Sequence, residues 1–160
     1  MSGWSLGQRP AGFIYGTLVA LSVIAAEAPA KEGSGKIALV VAVTCLVFWL
    51  AHVYAHGIGY SVARKEHLSL GELRRIARRE ASIVEAAILP VAVLLVGETG
   101  LYSARTAVWL AFVVGLAELF AQGLVVARLE RFGLLGTIAL LSVNLALGGL
   151  LVALKILIGH

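Results

Sequence analysis

Apolar residues occupy this chain in five blocks, and the polar positions between them are short and clustered. The blocks cover residues 11–30, 37–63, 81–96, 104–127 and 134–158. A helix needs roughly 20 such residues to cross the hydrocarbon core of a bilayer. The pattern therefore predicts an all-α, polytopic integral membrane helix bundle, a single transmembrane domain over residues 1–160 with five transmembrane helices. The third block is the shortest, and an amphipathic helical segment leads into it.

That segment carries the clearest local code. Ser69-Leu70-Gly71-Glu72 reads as a capping box, with Leu68 and Leu73 as a hydrophobic staple, so a helix starts near Leu70. Leu73, Ile76, Ala77 and Ala81 fall on one side, and Arg74, Arg75, Arg78 and Arg79 mostly on the other. Such a basic stripe suits a lipid headgroup surface. Pro90 predicts a kink in the third span, and Gly133 a stop for the fourth. Gly12 and Gly16 form a GxxxG pair. Two rows of small residues, Ala107-Ala111-Gly115 and Ser142-Ala146 with Gly149-Ala153, offer faces for close helix packing. The first block also admits a signal-peptide reading, with Ala28-Pro29-Ala30 as a cleavage-like end; an uncleaved span is the expectation.

Charge sets orientation. Arg9, Arg64, Lys65, Arg74, Arg75, Arg78, Arg79, Arg128 and Arg131 lie on one side, against Lys31, Lys36, Arg105 and Lys155 on the other. The positive-inside rule puts the first set, the connector 64–80 and the N-terminus in the cytoplasm.

Composition strengthens the membrane reading. Of the 160 residues, 60% are apolar and 14% charged, with a mean hydropathy of +0.96. Soluble domains hold roughly 45–50% apolar residues and about 25% charged ones. The formal charge of +4 is explained by orientation, so nucleic acid is not an expected partner. One cysteine, Cys45, excludes an intrachain disulfide and a Cys-based zinc site. The Ala/Leu/Val/Gly-rich composition points to a bacterial plasma membrane, and the short helices to self-association or another membrane subunit.

Ionisable groups at membrane depth are costly and mark candidate sites. His52 and His56, spaced i,i+4, share one helix face. Counting about 1.5 Å per residue from the nearest inner arginine puts His52 at roughly 18 Å, Glu118 at roughly 15 Å and Asn144 at roughly 20 Å. His56 and Glu85 come lower, and Gln122 lies one turn below Glu118. The expected ion or proton pathway is thus His52, His56, Glu85, Glu118, Gln122 and Asn144. Imidazole with carboxylate suits a divalent transition metal ion, with His52, His56, Glu118 and Glu85 as ligands and that ion as candidate cofactor. The same groups pass protons.

The plainer alternative is a structural or accessory membrane subunit. Its histidines donate to backbone carbonyls or to Glu118, Asn144 hydrogen-bonds a neighbouring helix, and Glu85 pairs with an inner-surface cation. No enzyme is expected. Val53 follows His52 where a zincin needs Glu, and no phosphate loop or nucleophile elbow is present in the sequence. The expected function is binding or translocation of a small cation through a His/Glu cluster in the cytoplasmic half.

Overall fold

The computed structural model describes residues 4–27, 33–65 and 67–158, and every element among them is helical. The helices are α1 (Trp4–Glu27), α2 (Ser34–Arg64), α3 (Leu70–Glu80), α4 (Ser82–Glu85), α5 (Ile88–Glu98), α6 (Ala104–Leu129) and α7 (Leu134–Ile158). Four of them, α1, α2, α6 and α7, hold stretches long and apolar enough to cross a membrane, and the bent α3/α4–α5 pair makes up to a fifth. The Ala28-Pro29-Ala30 motif lies outside the described residues.

Outward faces carry Leu39, Val43, Val47, Leu50, Ile138, Val143 and many other exposed large apolar side chains. In water this would be an aggregating surface; in a bilayer, lipid chains cover it at no cost. The protein is an all-α membrane helix bundle. Its core, where α1, α2, α5 and α6 meet, holds Leu21, Ile24, Val41, Cys45, Leu94, Phe112 and Leu119.

The third span breaks one turn before the proline. The two parts meet at 47° across Ala86 and Ala87, because Pro90 has no N–H for the Ala86 carbonyl and its ring presses on that group. Ala87 N–H donates instead to Val84 O at 3.0 Å, tightening the turn. A second break at Ala81 separates α3 from α4.

Small residues bring helix backbones together at this break. A Cβ on Gly12 would stand 2.4 Å from Ser82 Oγ, and one on Gly16 would stand 2.4 Å from Ile83 O and 2.8 Å from its Cα. The GxxxG pair of α1 therefore receives the backbone of α4. The row Ala107-Ala111-Gly115 is buried as well, with Gly115 against Leu21 of α1. In the other row, Ser142, Ala146 and Ala153 are exposed. Leu141, Asn144 and Gly148 of α7 are turned to α6 instead.

Helix ends refine the sequence reading. The capping box forms: Glu72 N–H donates to Ser69 Oγ at 3.2 Å, and Ser69 N–H to Glu72 Oε2 at 3.2 Å. Leu68 and Leu73 both lie over Gly57 of α2, so the staple docks α3 on that helix. The stop of α6 is not Gly133 but Arg131, at φ 54. Phe132 N–H reaches Ala127 O at 2.9 Å and Arg131 N–H reaches Arg128 O at 3.3 Å, a Schellman closure. Lys65 ends α2 in the same left-handed conformation, again at φ 54. At the other end of the bundle Glu98 is not merely solvated. Its Oε2 accepts from Gly35 N–H at 2.8 Å, so a carboxylate from α5 closes the N-terminus of α2, where the helix dipole favours it.

Two outcomes are expected. Gly16→Ala must push α4 off α1 and costs about 1–3 kcal/mol in a thermal or detergent unfolding assay, whereas Gly59→Ala, with nothing within 4 Å, is the near-neutral control. In the basic connector, the Tyr60 hydroxyl, followed by Ser69, holds the Glu72 carboxyl below its ordinary range. A lowered folded-state value means that the capping box contributes fully above the ordinary carboxylate range, about pH 4.3, and is lost as pH falls through the lower value. Tyr60→Phe moves the Glu72 midpoint upward in a carboxyl-carbon NMR titration.

Candidate functional site: an open groove at the basic end

Because α2 has 31 residues, it is about 46 Å long, well beyond the roughly 30 Å of a hydrocarbon core. α3 packs along the Arg64 end of α2. Tyr60 hydrogen-bonds Glu72, and the Arg64 guanidinium stacks 4.8 Å over the Tyr60 ring. Trp49 Nε1 donates to Ala77 O at 2.9 Å, supplying a partner for a carbonyl at the frayed end of α3. Arg74, Arg75, Arg78 and Arg79 are all exposed.

The depth of the histidines changes accordingly. Arg9 of α1, and not Arg64, is the arginine from which their level along the bundle can be counted through a direct contact. Tyr15, whose ring lies 5.0 Å from that of His52, is six residues, about 9 Å, from Arg9. The pair therefore lies closer to the Arg9 end of the bundle than the count of roughly 18 Å from Arg64 implied.

There α1, α2 and the α3–α4 junction enclose an open groove of about 350 Å³, lined by Ala11, Gly12, Tyr15, His52, His56, Glu80 and Ile83. Gly12 forms part of its wall, with Ser82 packed where a side chain at position 12 would stand. His52 Nδ1 stands 2.9 Å from Phe48 O, an atom that only accepts, so Nδ1 carries the proton. His56 Nδ1 stands 2.9 Å from Glu80 Oε1. The two imidazole centroids are 6.1 Å apart. Both Nδ1 atoms are thus held by acceptors, which leaves both Nε2 atoms without a hydrogen bond among the described residues. Glu80 is 8% exposed, a buried carboxylate with an imidazole as its partner.

Glu80 was not among the residues singled out in the sequence, although a signal for it existed. It falls seven positions after Leu73 and four after Ile76, on the apolar face of α3, where a carboxylate is out of place.

The other expected site residues lie elsewhere. Glu85 accepts from Arg9 at 3.1 and 3.2 Å, an exposed pair that ties α4 to the start of α1. Glu118 faces α1 at Thr17. Tyr15 and Thr17 are about 200° apart around α1, so that helix stands between His52 and Glu118. Asn144 Nδ2 donates to Leu119 O at 3.4 Å, a link between α7 and α6. Gln122, half-buried, makes no hydrogen bond among the described residues. The proposed pathway is therefore divided, and its groups do not form one layer.

The metal set His52, His56, Glu118 and Glu85 is not assembled. Among the described residues no three His, Cys, Asp or Glu side chains come together in a way that could hold a metal ion. The reason is physical: Arg9 has taken Glu85, and α1 screens Glu118. Cys45 is buried in the core, away from any such role.

Neither a family model, nor a curated protein, nor a solved structure matches this chain. The functional reading rests on the chemistry of the groove.

One consequence is directly measurable. Neutral His52 should be the Nδ1–H tautomer, seen as a protonated Nδ1 and an unprotonated Nε2 in long-range ¹H–¹⁵N NMR spectra. An Nε2–H tautomer would contradict the Phe48 hydrogen bond.

Proposed function

We propose that this small polytopic membrane protein binds a small cation, in the first place a proton, at the His52/His56/Glu80 groove on the cytoplasmic side of a bacterial plasma membrane. The observation that carries the reading is the pair of imidazoles lining an open groove, each with Nδ1 held by an acceptor and Nε2 without a hydrogen bond among the described residues. This is the arrangement by which proteins present imidazole to a cation. Glu80 supplies the counter-charge. A proton needs no third ligand, whereas a transition metal ion does, so the proton is the simpler occupant. The role is binding or transport, not catalysis. Arg74, Arg75, Arg78 and Arg79 would hold the cytoplasmic side against anionic headgroups, and the outward Ser142 row is where a second copy would pack.

The structural reading has its own support. His52 to Phe48 O, His56 to Glu80, Trp49 to Ala77 O and Asn144 to Leu119 O all fix helix positions, as an accessory subunit requires.

Reconstitution separates the two. Protein in liposomes loaded with a pH dye is given a potassium-diffusion potential, and in parallel nanodisc-embedded protein is titrated with Zn²⁺ calorimetrically. Cation handling predicts proton flux, or Zn²⁺ binding, that falls at least about tenfold, some 1.4 kcal/mol, in His52→Gln/His56→Gln. Neither activity in the wild type, with the double variant losing only thermal stability, would establish the accessory role.

A further inference from the structure

Glu118 stands apart from the groove. Its side chain is 8% exposed, and neither carboxylate oxygen has a hydrogen-bond partner among the described residues. The positions beside it on α6 pack against apolar side chains: Leu21 fills the space against Gly115, and Leu116 and Leu119 close on Gly148 of α7. Thr17 of α1 is the polar side chain facing it.

The state of Thr17 decides what Glu118 can be. The Thr17 hydroxyl donates to Phe13 O at 3.0 Å, so towards Glu118 it presents lone pairs alone. Two acceptors facing each other in an apolar core repel; a proton on the carboxyl turns the pair into donor and acceptor. Asn144, the nearby amide, directs its donor to Leu119 O. Among the described residues no cation is paired with it. On α1, Arg9 is bonded to Glu85, and Glu27 lies at the far end. Arg105 and Arg128 lie at the two ends of α6, and Glu98 ends α5. The described side chains of α7 are uncharged. An isolated carboxylate in such a place is far costlier than a carboxylic acid.

We propose that Glu118 is a second, separate proton-binding site, a neutral carboxyl donating to Thr17 in the dry α1–α6–α7 core, and the residue of this chain that a hydrophobic carbodiimide modifies. The modification requires the acid form. The carboxyl proton passes to a carbodiimide nitrogen while a carboxyl oxygen bonds to the central carbon, giving an O-acylisourea. Migration of the acyl group to nitrogen then yields a stable N-acylurea. Nothing leaves, so the peptide gains the mass of one reagent molecule. The inference does not depend on the His52/His56 groove.

The test treats full-length protein in lipid nanodiscs with dicyclohexylcarbodiimide at neutral pH and maps the adduct by peptide mass spectrometry. Label is expected at Glu118, lost in Glu118→Gln and retained in His52→Gln/His56→Gln, so failure of the groove reading leaves this result intact. Protection of Glu118 by sodium or potassium would overturn the proposal in favour of a metal-cation site. Infrared spectroscopy provides a readout independent of reagent access. A carboxylic-acid C=O band, sensitive to exchange into ²H₂O and missing in Glu118→Gln of unchanged helical content, is expected at neutral pH. Its absence from the wild type would overturn the proposal whatever the labelling shows.

Discussion

The close approach of the α4 backbone to Gly16 of α1 is the contact on which the rest of this bundle depends. With Ile83 O only 2.4 Å from where a Cβ would stand, no other residue type fits at position 16 without moving a helix. The contact requires the third span to be broken, and Pro90 breaks it, leaving the Ala86 carbonyl free and the chain turned by 47°. With α4 seated on α1, α3 lies against the Arg64 end of α2. That brings Glu80 to His56 and leaves the groove open between α1 and α2. A helix-breaking residue and a missing side chain thus create the polar site without any residue of their own in its chemistry.

The buried polar groups divide by whether a partner reaches them. Asn144 and Glu80 are joined to other helices, and in lipid such bonds are typically worth about 0.6–2 kcal/mol each. Glu118 has no such bond, and the two histidines keep one nitrogen each in reserve. Helix packing accounts for the first class. It does not account for the second, and that is where the functional readings are placed.

Local features were the most legible in sequence. The capping box at Ser69–Glu72, the close packing at Gly12 and Gly16 and the buried row on α6 all follow from short spacings that a helix enforces. What misled was distance. The depth of His52 counted from Arg64 assumed that α2 ends at the membrane boundary, yet at about 46 Å the helix is longer than a hydrocarbon core of roughly 30 Å. Gly133 looked like the helix stop, but a Schellman closure needs its left-handed residue at a set offset from the last helical carbonyl, and Arg131 occupies that offset. Glu98 was passed over because nothing in its neighbourhood along the chain reveals the N-terminus of α2, more than sixty residues away.

By itself, then, the sequence determined a helical, lipid-immersed chain, the blocks that cross, the basic end and the residue types at depth. These follow from hydrophobicity and from the need of every backbone group in lipid to find its partner within its own helix. Only the tertiary structure decided which polar groups meet. A helix presents a side chain every 100°, so rotation and tilt, set by packing at a few small residues, choose among partners that spacing leaves equal. Packing gave His56 to Glu80 and Glu85 to Arg9, and it left Glu118 alone behind α1.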